Sequence, residues 1–212
     1  MGRKWTSPPG NLYASALLVD ATPIAKAYQI GFVAGLALHR AVQDLGGSEF
    51  FLKWPNDLLW RGGKVAGLLA EGVSPPSGGF ACVMGVGVNC QIAPDNAAYS
   101  TASLSQALNR SVSARELFDR LVERFVETLA AWRGGEGFAD IRSAWLAVAA
   151  GLGAPIRIAG AEGLREGVFE TLDAQGRLLM RRQGRVEIVE AGDLSLLAGE
   201  ARMEHGGRAT GS

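Results

Sequence analysis

Four short, strand-like apolar segments follow one another between residues 49 and 88, with connections too short to hold a helix. They cover residues 49–54, 58–60, 64–72 and 80–88. Arg61-Gly62-Gly63 has the glycines of a hairpin turn, and the proline- and glycine-rich residues 75–79 make another short connection. Because parallel strands need a long crossover, this spacing predicts a mostly antiparallel sheet.

One more strand and three helices are predicted around this sheet. Residues 11–19 have the pattern of a buried strand, and Thr22-Pro23 has the pattern of a helix N-cap followed by proline. We expect this helix to run to about Leu45, to end at Gly46-Gly47 and to pack on the sheet, because apolar residues surround it. Two amphipathic helices follow, and a capping-box spacing at Ser113 and Glu116 begins the first. Their apolar stripes are Leu117, Leu121, Phe125 and Leu129, then Phe138, Ile141, Trp145 and Val148.

The character of the sequence changes at residues 151–153, Gly-Leu-Gly. Beyond this point, short runs at 155–159, 165–172, 177–182 and 185–190 are separated by glycine-containing turns. This pattern favours a small all-β barrel of about 50 residues, in the SH3-like size class. No apolar pattern continues beyond Ala201, which predicts a disordered tail. The expected division is a domain over 1–150, a barrel over 151–200 and a tail over 201–212.

Composition excludes several classes of protein. Lysine plus arginine and aspartate plus glutamate both number 21, so no basic excess favours a nucleic acid as partner. No apolar stretch is long enough to cross a bilayer and no signal segment opens the chain, which predicts a cytoplasmic protein. Cys82 and Cys90 lack metal-ligand spacing, so we expect two buried free thiols and no zinc site.

The turn after the first of the four segments carries the strongest chemical pattern. Trp54-Pro55 suits neither a helix nor a strand interior, so the strand should end there and present Lys53, Asn56 and Asp57. Lys64 opens the next strand but one and can reach the same place. Two cations, a carboxylate and an amide suit a nucleotide phosphate, with Asp57 as a base or a Mg²⁺ ligand. The alternative is a surface turn with solvated charges.

Two further segments suggest contact with a ligand. Gly85-Val86-Gly87-Val88-Asn89 places glycines inside a strand, where they often mark the close approach of a ligand or another backbone, and Gly67 fits the same idea. Tight packing between strand and helix is the alternative. Near the start of the chain, Arg3, Lys4 and Trp5 could cover an anionic ligand, whereas a disordered terminus is the alternative.

Together these segments resemble the biotin protein ligases, which attach biotin to carboxyl carrier proteins. Four motifs occur in the family's order over a resemblance that covers residues 2–198. They are Gly2-Arg3-Lys4-Trp5 with the following Asn11-Leu12-Tyr13, Lys53-Trp54-Pro55-Asn56-Asp57, Lys64-x-x-Gly67-Leu68-Leu69 and Gly85-x-Gly87-x-Asn89. The Lys-Trp-Pro-Asn-Asp motif is highly specific. The resemblance implies an α+β catalytic domain of the biotin/lipoate ligase type, with a mixed, mostly antiparallel sheet packed with helices, and a small SH3-like C-terminal barrel.

The resemblance also implies a two-step reaction. Biotin and Mg-ATP would first give biotinyl-5′-adenylate and pyrophosphate, and a lysine of the carrier would then displace AMP. Lys64 would contact the biotin carboxylate and the α-phosphate. Lys53, Asn56 and Asp57 would serve ATP, Mg²⁺ and the incoming lysine, which Asp57 would orient or deprotonate.

The other residues implied by the resemblance line the pocket or cover it. They are Gly67, Gly85, Gly87 and Asn89 along the biotin and adenylate pocket, Tyr13 and Ser15 near the biotin ring, and Arg3, Lys4 and Trp5 in the loop over the adenylate.

The first residues depart from the family's pattern. Family members carry a longer basic loop, Gly-Arg-Gly-Arg-x-Gly-Arg-x-Trp, and an upstream Ser-Thr-Asn-type biotin-contacting segment, so we expect an N-terminally truncated ligase. A catalytically impaired biotin-binding or dimerisation protein and a lipoate-type ligase are the alternatives.

The implied partner is the biotin carboxyl carrier domain of acetyl-CoA carboxylase or a related carboxylase. Both a monomer and a homodimer are compatible with the resemblance.

Overall fold

The first part of the chain forms a five-stranded sheet. The computed structural model describes residues 7–19, 26–73, 81–95, 99–160 and 163–197. The strands are β1 (Leu12–Val19), β2 (Phe50–Lys53), β3 (Asp57–Trp60), β4 (Gly63–Val73) and β5 (Ala81–Val88). Their spatial order is β1-β5-β4-β3-β2, and every neighbouring pair is antiparallel. The predicted antiparallel sheet is therefore confirmed.

The hairpin between β3 and β4 has a two-residue turn. Trp60 pairs with Gly63, so Arg61 and Gly62 form the turn, with φ angles of 46° and 79°. Two consecutive left-handed residues are the geometry of a type I′ turn, which matches the twist of the flanking strands. The other predicted connection, residues 75–79, lies outside the described residues.

Helices cover one face of this sheet. They are α1 (Gln29–Asp44), α2 (Leu104–Leu108), α3 (Ala114–Trp132) and α4 (Phe138–Leu146). Helix α1 contacts β2, β3, β4 and β5 and also packs against α3 and α4, which explains why most of its residues are buried. Its start differs from the prediction, because residues 27 and 28 form a tight turn in which Ile30 N donates to Ala27 O at 3.1 Å. The predicted cap at residues 22 and 23 lies outside the described residues.

The helix ends follow capping chemistry. The backbone N–H groups of Gly46 and Gly47 donate to Gln43 O and Val42 O, and Gly46 has a φ of 92°, which confirms the predicted end of α1. The Ser113 hydroxyl accepts from Glu116 N at the start of α3, as predicted. Helix α2, which was not predicted, begins with a complete capping box between Ser103 and Gln106. Helix α4 ends at Leu146, before the Val148 that the predicted stripe included.

From Pro155 onward, the residues that the structure describes form β-strands and their connections, as predicted. The strands β6 (Pro155–Gly160), β7 (Gly163–Leu172), β8 (Leu178–Arg182), β9 (Arg185–Val189) and β10 (Asp193–Leu196) form an antiparallel sheet in the order β10-β6-β7-β8-β9. Strand β10 is one more than the sequence predicted. The interior is apolar and consists of Ile156, Ile158, Phe169, Leu172, Leu178, Met180, Val189 and Leu194. The tail predicted from residue 201 lies outside the described residues.

Two further predictions concern burial. Cys82 and Cys90 are buried free thiols, as expected, and burial raises the pKa of the Cys90 thiol to about 11. Among the described residues, no helix is both long and apolar enough to cross a bilayer.

Candidate active site

A single row of residues crosses the face of the first sheet that the helices leave open. Tyr13 pairs with Gly87, Gly87 with Gly67, Gly67 with Asp57, and Asp57 with Lys53. Residues directly opposite one another in neighbouring strands share a face of the sheet. The structure therefore brings five residues named from the sequence into one row across all five strands.

A second row lies beside the first and contains Ser15, Gly85 and Leu69. Gly67, Gly85 and Gly87 have no side chains, so the two rows form a shallow trough in the middle strands. Tyr13 and Ser15 lie at one end of this trough, and Asp57 lies at the other. A trough floored by backbone lets a ligand approach the sheet closely, which is the reading proposed for these strand glycines.

A buried carboxylate lies between two ammonium groups at the Asp57 end. Asp57 Oδ2 is 3.0 Å from Lys53 Nζ, and Asp57 Oδ1 is 2.5 Å from Lys64 Nζ. The exposed fraction of the Asp57 side chain is only 8%. Within the described part of the chain, Oδ1 forms an ion pair but no well-aligned hydrogen bond. Of the two lysines in this trio, Lys64 has the more exposed side chain, so its ammonium is the charge that an anion at the end of the trough would meet.

Lys64 reaches this face because β4 is irregular. Lys64 is three residues before Gly67, and residues separated by an odd number in a regular strand point to opposite faces. The pairing of β3 with β4 shifts register, from Leu58 opposite Ala66 to Leu59 opposite Lys64. The extra residue in β4 is a bulge, and it turns the Lys64 ammonium toward Asp57 and Gly67.

The Trp-Pro-Asn turn is fixed by hydrogen bonds at both of its sides. Trp54 is buried and its indole Nε1 donates to Gly176 O at 3.2 Å. The Trp54–Pro55 peptide bond is cis. The Asn56 side-chain amide donates to Leu68 O at 2.7 Å, and Asn56 O accepts from Leu68 N at 2.9 Å. Asn56 thus extends the pairing of β3 with β4, and one of its two side-chain N–H donors is already used.

The second sheet reaches the trio through Lys53, which no sequence pattern indicated. Lys53 Nζ donates to the backbone carbonyl of Leu194 at 3.0 Å and lies 3.7 Å from the Asp193 carboxylate. These contacts join residues about 140 positions apart in the chain. Neither periodicity nor composition could have revealed them, because a backbone carbonyl has no sequence signature.

An aromatic ring and an amide complete the surroundings of Lys64. The Lys64 ammonium lies 5.4 Å from the centre of the exposed Tyr99 ring, a cation–π distance. The Asn89 amide donates to Ala102 O at 3.1 Å and to Lys64 O at 3.4 Å. Asn89 therefore stabilises the backbone conformation around Lys64. Tyr99 was not singled out from the sequence, where it is one aromatic residue in a polar loop.

The geometry at Asp57 does not suit a magnesium ion. Both carboxylate oxygens face ammonium groups, which would repel a divalent cation. Among the described residues, no group of three His, Cys, Asp or Glu side chains could hold a metal. With both oxygens paired to lysines, Asp57 does not fit the Mg²⁺ role that the resemblance implies. Arg3, Lys4 and Trp5 lie outside the described residues.

Known proteins share both the sequence and the fold. The model of the biotin/lipoate A/B protein ligase family matches residues 1–89. A biotin–[acetyl-CoA-carboxylase] ligase of Paracoccus denitrificans is 36% identical over 203 residues, which are 91% of this chain and 83% of the relative. A ligase of the same name from Mycobacterium tuberculosis is 30% identical, over 91% of this chain and 72% of the relative.

The solved structure of biotin protein ligase from Aquifex aeolicus in complex with biotin and ATP has a TM-score of 0.79 to this chain at 26% identity. The match covers 92% of this chain and 82% of that one. The similarity in sequence and the similarity in fold extend over nearly the whole chain and agree with each other. The chain therefore belongs to the biotin protein ligase family.

Proposed function

We propose that this chain joins biotin to ATP as biotinyl-5′-adenylate and then transfers biotin to a lysine of a carrier domain. The observation that carries the proposal is the buried Asp57 carboxylate between the half-buried ammonium groups of Lys53 and Lys64, at the end of a trough whose floor is formed by glycines. An adenylate-forming site must bring a carboxylate and a phosphate together although both are anions. The partly exposed ammonium of Lys64, beside a trough that is open to a flat ring, supplies that attraction.

In the first step, an oxygen of the biotin carboxylate attacks the α-phosphorus of ATP, and the bond to pyrophosphate breaks. Lys64 is suited to lie between the two anions, because its ammonium has a single carboxylate partner among the described residues and lies beside the open face. Its charge neutralises both reactants and the charge that develops on the phosphoryl oxygens. Lys64 would have to leave Asp57 Oδ1 to do this.

In the second step, the amine of the carrier lysine attacks the carbonyl carbon of the mixed anhydride, and AMP leaves. The attacking amine must lose a proton. Asp57 Oδ1 is buried, makes no well-aligned hydrogen bond within the described residues, and is uncovered when Lys64 moves to the ligand. We therefore assign Asp57 to orient the amine and accept its proton.

The rest of the pocket follows from the two rows of the sheet. Gly67, Gly85 and Gly87 would form its floor, and Tyr13 and Ser15 would contact the biotin ring. Asn56 and Asn89 would act by holding backbone on either side of Lys64. We retain Arg3, Lys4 and Trp5 as the segment that closes over the adenylate.

The proposal also covers the acceptor protein, the cellular location, the domain division and the oligomeric state. The acceptor would be the biotin carboxyl carrier domain of acetyl-CoA carboxylase or a related carboxylase, since the two relatives are named as biotin–[acetyl-CoA-carboxylase] ligases. Because the reaction consumes ATP, we propose the cytoplasm as its location. We also propose that strands β6 to β10 close into an SH3-like barrel over 151–200, separate from a catalytic domain over 1–150. Homodimerisation stays a prediction that sedimentation would test.

The test is pyrophosphate release by the purified chain with ATP and biotin, followed by transfer of biotin to a carrier domain. We expect release with biotin and none with lipoate. Lys64→Ala should lower the rate at least about a hundredfold, because it removes a charge aligned with the transition state.

A matched control is Lys26→Ala. Lys26 donates to Gly134 O beyond the end of α3 and has no part in the trio. This variant should keep wild-type activity. Release with lipoate but not biotin, or equal activity of Lys64→Ala and Lys26→Ala, would contradict the proposed function.

A further inference from the structure

The two lysines of the trio differ in how many of their donors are already used. An ammonium group has three N–H donors. Lys53 Nζ faces three acceptors, which are Asp57 Oδ2 at 3.0 Å, Leu194 O at 3.0 Å and Asp193 Oδ1 at 3.7 Å. Its side chain is 15% exposed, against 24% for Lys64. Two of the three Lys53 donors are therefore used at hydrogen-bond distance and the third faces Asp193 at ion-pair distance, whereas Lys64 has one carboxylate partner among the described residues.

The acceptors of Lys53 come from both sheets. Asp57 belongs to β3, and Asp193 and Leu194 belong to β10, at the edge of the second sheet. If strand β10 shifts, either Lys53 must move with it or Lys53 loses two of its three contacts. Lys53 in turn fixes Asp57 Oδ2, and this leaves Oδ1 as the oxygen that faces Lys64.

The contact between the sheets at this point is not isolated. Trp54, the next residue in the chain, donates to Gly176 O in the turn between β7 and β8. On the other side, Leu52 N donates to Val148 O, and Ala150 N donates to Leu52 O, both at 2.8 Å. Three consecutive residues, Leu52, Lys53 and Trp54, are thus each held by the chain beyond residue 147. This segment is the most heavily anchored part of the site.

We propose that Lys53 is a positioning residue and not a ligand-binding cation, and that β10 completes the site by holding Lys53 through the Leu194 carbonyl and the Asp193 carboxylate. The proposal rests on the proposed function and refines it. The resemblance alone gives Lys53 a direct role toward ATP. In the structure the two lysines instead have different roles. Lys64 faces the ligand, and Lys53 fixes the carboxylate that orients the amine and accepts its proton.

The experiment uses the full chain and measures three quantities. They are the KM values for ATP and biotin, the single-turnover rate of adenylate formation, and the rate of biotin transfer to the carrier. Lys53→Met should slow transfer at least about tenfold, because the carboxylate loses its fixed orientation. Its KM for ATP should change less than about twofold, whereas Lys64→Ala should raise KM and slow adenylate formation.

The role of β10 is tested on Asp193, whose side chain is 57% exposed and whose replacement should not disturb folding. Asp193→Asn should slow transfer about two- to fivefold, the range expected for a partly exposed ion pair. Asp193→Glu keeps the charge and should restore the rate. The matched control is Glu166→Gln, which neutralises an equally exposed carboxylate of the same sheet that pairs with Arg157 and lies outside the trio. It should have no effect.

A second readout does not depend on activity. Hydrogen exchange of the β10 amides should be faster in Lys53→Met than in the wild type, because the carbonyl of Leu194 loses its donor. An increase of KM for ATP in Lys53→Met as large as in Lys64→Ala would overturn the positioning role. Equal transfer rates in Asp193→Asn and Glu166→Gln, or unchanged exchange in β10, would overturn the role of the strand. If the wild type forms no adenylate, the proposed function fails, and the exchange measurement alone still decides whether Lys53 holds β10.

Discussion

Gly67 shows most directly how one residue shapes the site. A Cβ atom built on it would lie 3.1 Å from Lys64 Nζ and 3.2 Å from Lys64 Cε, and 3.8 Å from Asp57 Oδ1. These distances are tighter than ordinary contacts for the lysine, so the Lys64–Asp57 ion pair uses the space that a side chain would fill. A glycine is needed at position 67 because a side chain there would crowd Lys64. Backbone conformation is not the reason, because Gly67 does not have a positive φ.

We therefore predict that Gly67→Ala displaces Lys64 and lowers the rate of pyrophosphate release about ten- to a hundredfold. The free energy of unfolding should change by less than about 1 kcal/mol, because the displaced atoms are the end of a flexible side chain. Steady-state kinetics and urea denaturation measure the two effects. The control is Gly160→Ala, a strand glycine whose Cβ would make an ordinary contact of 3.5 Å with Ala191 O. Equal activity in the two variants would contradict the prediction.

His39 makes the stability of the protein depend on pH. It is buried in α1, and its Nε2 lies 3.0 Å from Phe50 O, to which it donates. Burial lowers the pKa of His39, the hydrogen bond to Phe50 O opposes this shift, and Arg40 adds to it. In the unfolded chain the pKa of histidine is about 6.5. Below that pH the unfolded state binds a proton that the folded state does not, so folding stability falls as pH falls.

We predict that the free energy of unfolding decreases between pH 7 and pH 5 with a contribution from His39 of at most about 1.4 kcal/mol per pH unit. His39→Gln keeps a donor but cannot titrate, so its stability should fall less steeply over the same range. Urea denaturation at several pH values gives both slopes. Identical slopes would rule out His39 as the cause.

At the scale of single elements, α1 determines where the first sheet is covered. It lies across four of the five strands and has apolar residues around most of its circumference, which a helix between a sheet and two other helices requires. Two glycines, one inside this helix and one just after it, occur for different reasons. Gly31 lies in the first turn with open space around its Cβ position, whereas Gly46 follows the helix with a φ of 92°.

These two glycines give a matched pair of substitutions. Gly31→Ala should raise the free energy of unfolding by about 0.5 to 1 kcal/mol, because alanine favours a helix more than glycine does. Gly46→Ala should lower it by about 1 kcal/mol, because alanine is strained at positive φ. Neither Cβ would contact a neighbouring atom within 4 Å, so the difference reflects backbone conformation alone. Chemical denaturation measures both, and shifts of the same sign would contradict this account.

At the scale of the whole molecule, the two sheets are joined at the site. The turn between β7 and β8 places Gly176 against the first part of the chain, where its Cβ position lies 2.7 Å from Phe32 and 3.3 Å from Phe138. The carbonyl of Gly176 accepts the indole N–H of Trp54. The second sheet is therefore packed against the segment that carries Lys53, Asn56 and Asp57.

Two glycines in turns of the second sheet allow the energetic cost of lost packing to be measured separately from the cost of backbone strain. Gly176 and Gly184 have nearly equal φ angles, 75° and 77°, but a Cβ on Gly184 would meet nothing within 4 Å. Gly184→Ala should cost only the strain of positive φ, about 1 to 2 kcal/mol, and leave activity unchanged. Gly176→Ala should cost at least about 1 kcal/mol more and also slow catalysis, because Phe32 and the Trp54 contact must shift. Equal stability and activity of the two variants would show that the turn does not hold the site.

The antiparallel sheet, the end of α1, the capped start of α3 and the all-β C-terminal part were predictable, because each depends on local spacing and turn chemistry. The strand glycines and the Lys-Trp-Pro-Asn-Asp motif also indicated the candidate site and its family. The turn at residues 27 and 28 before α1, the short helix α2 and strand β10 were missed. Their signals are short, and in β10 only four residues carry the pattern.

The sequence alone determined which chemical groups are present and where glycines interrupt the strands and form the turns, because these depend on residue type and close spacing. Tertiary structure decided how the groups meet. The β4 bulge turns Lys64 onto the face of Gly67, against the alternation of a regular strand, and β10 takes up the donors of Lys53 from about 140 residues away. Neither the register shift nor the contact with a backbone carbonyl can be predicted from residue types, because both depend on how separate segments of the chain pack together.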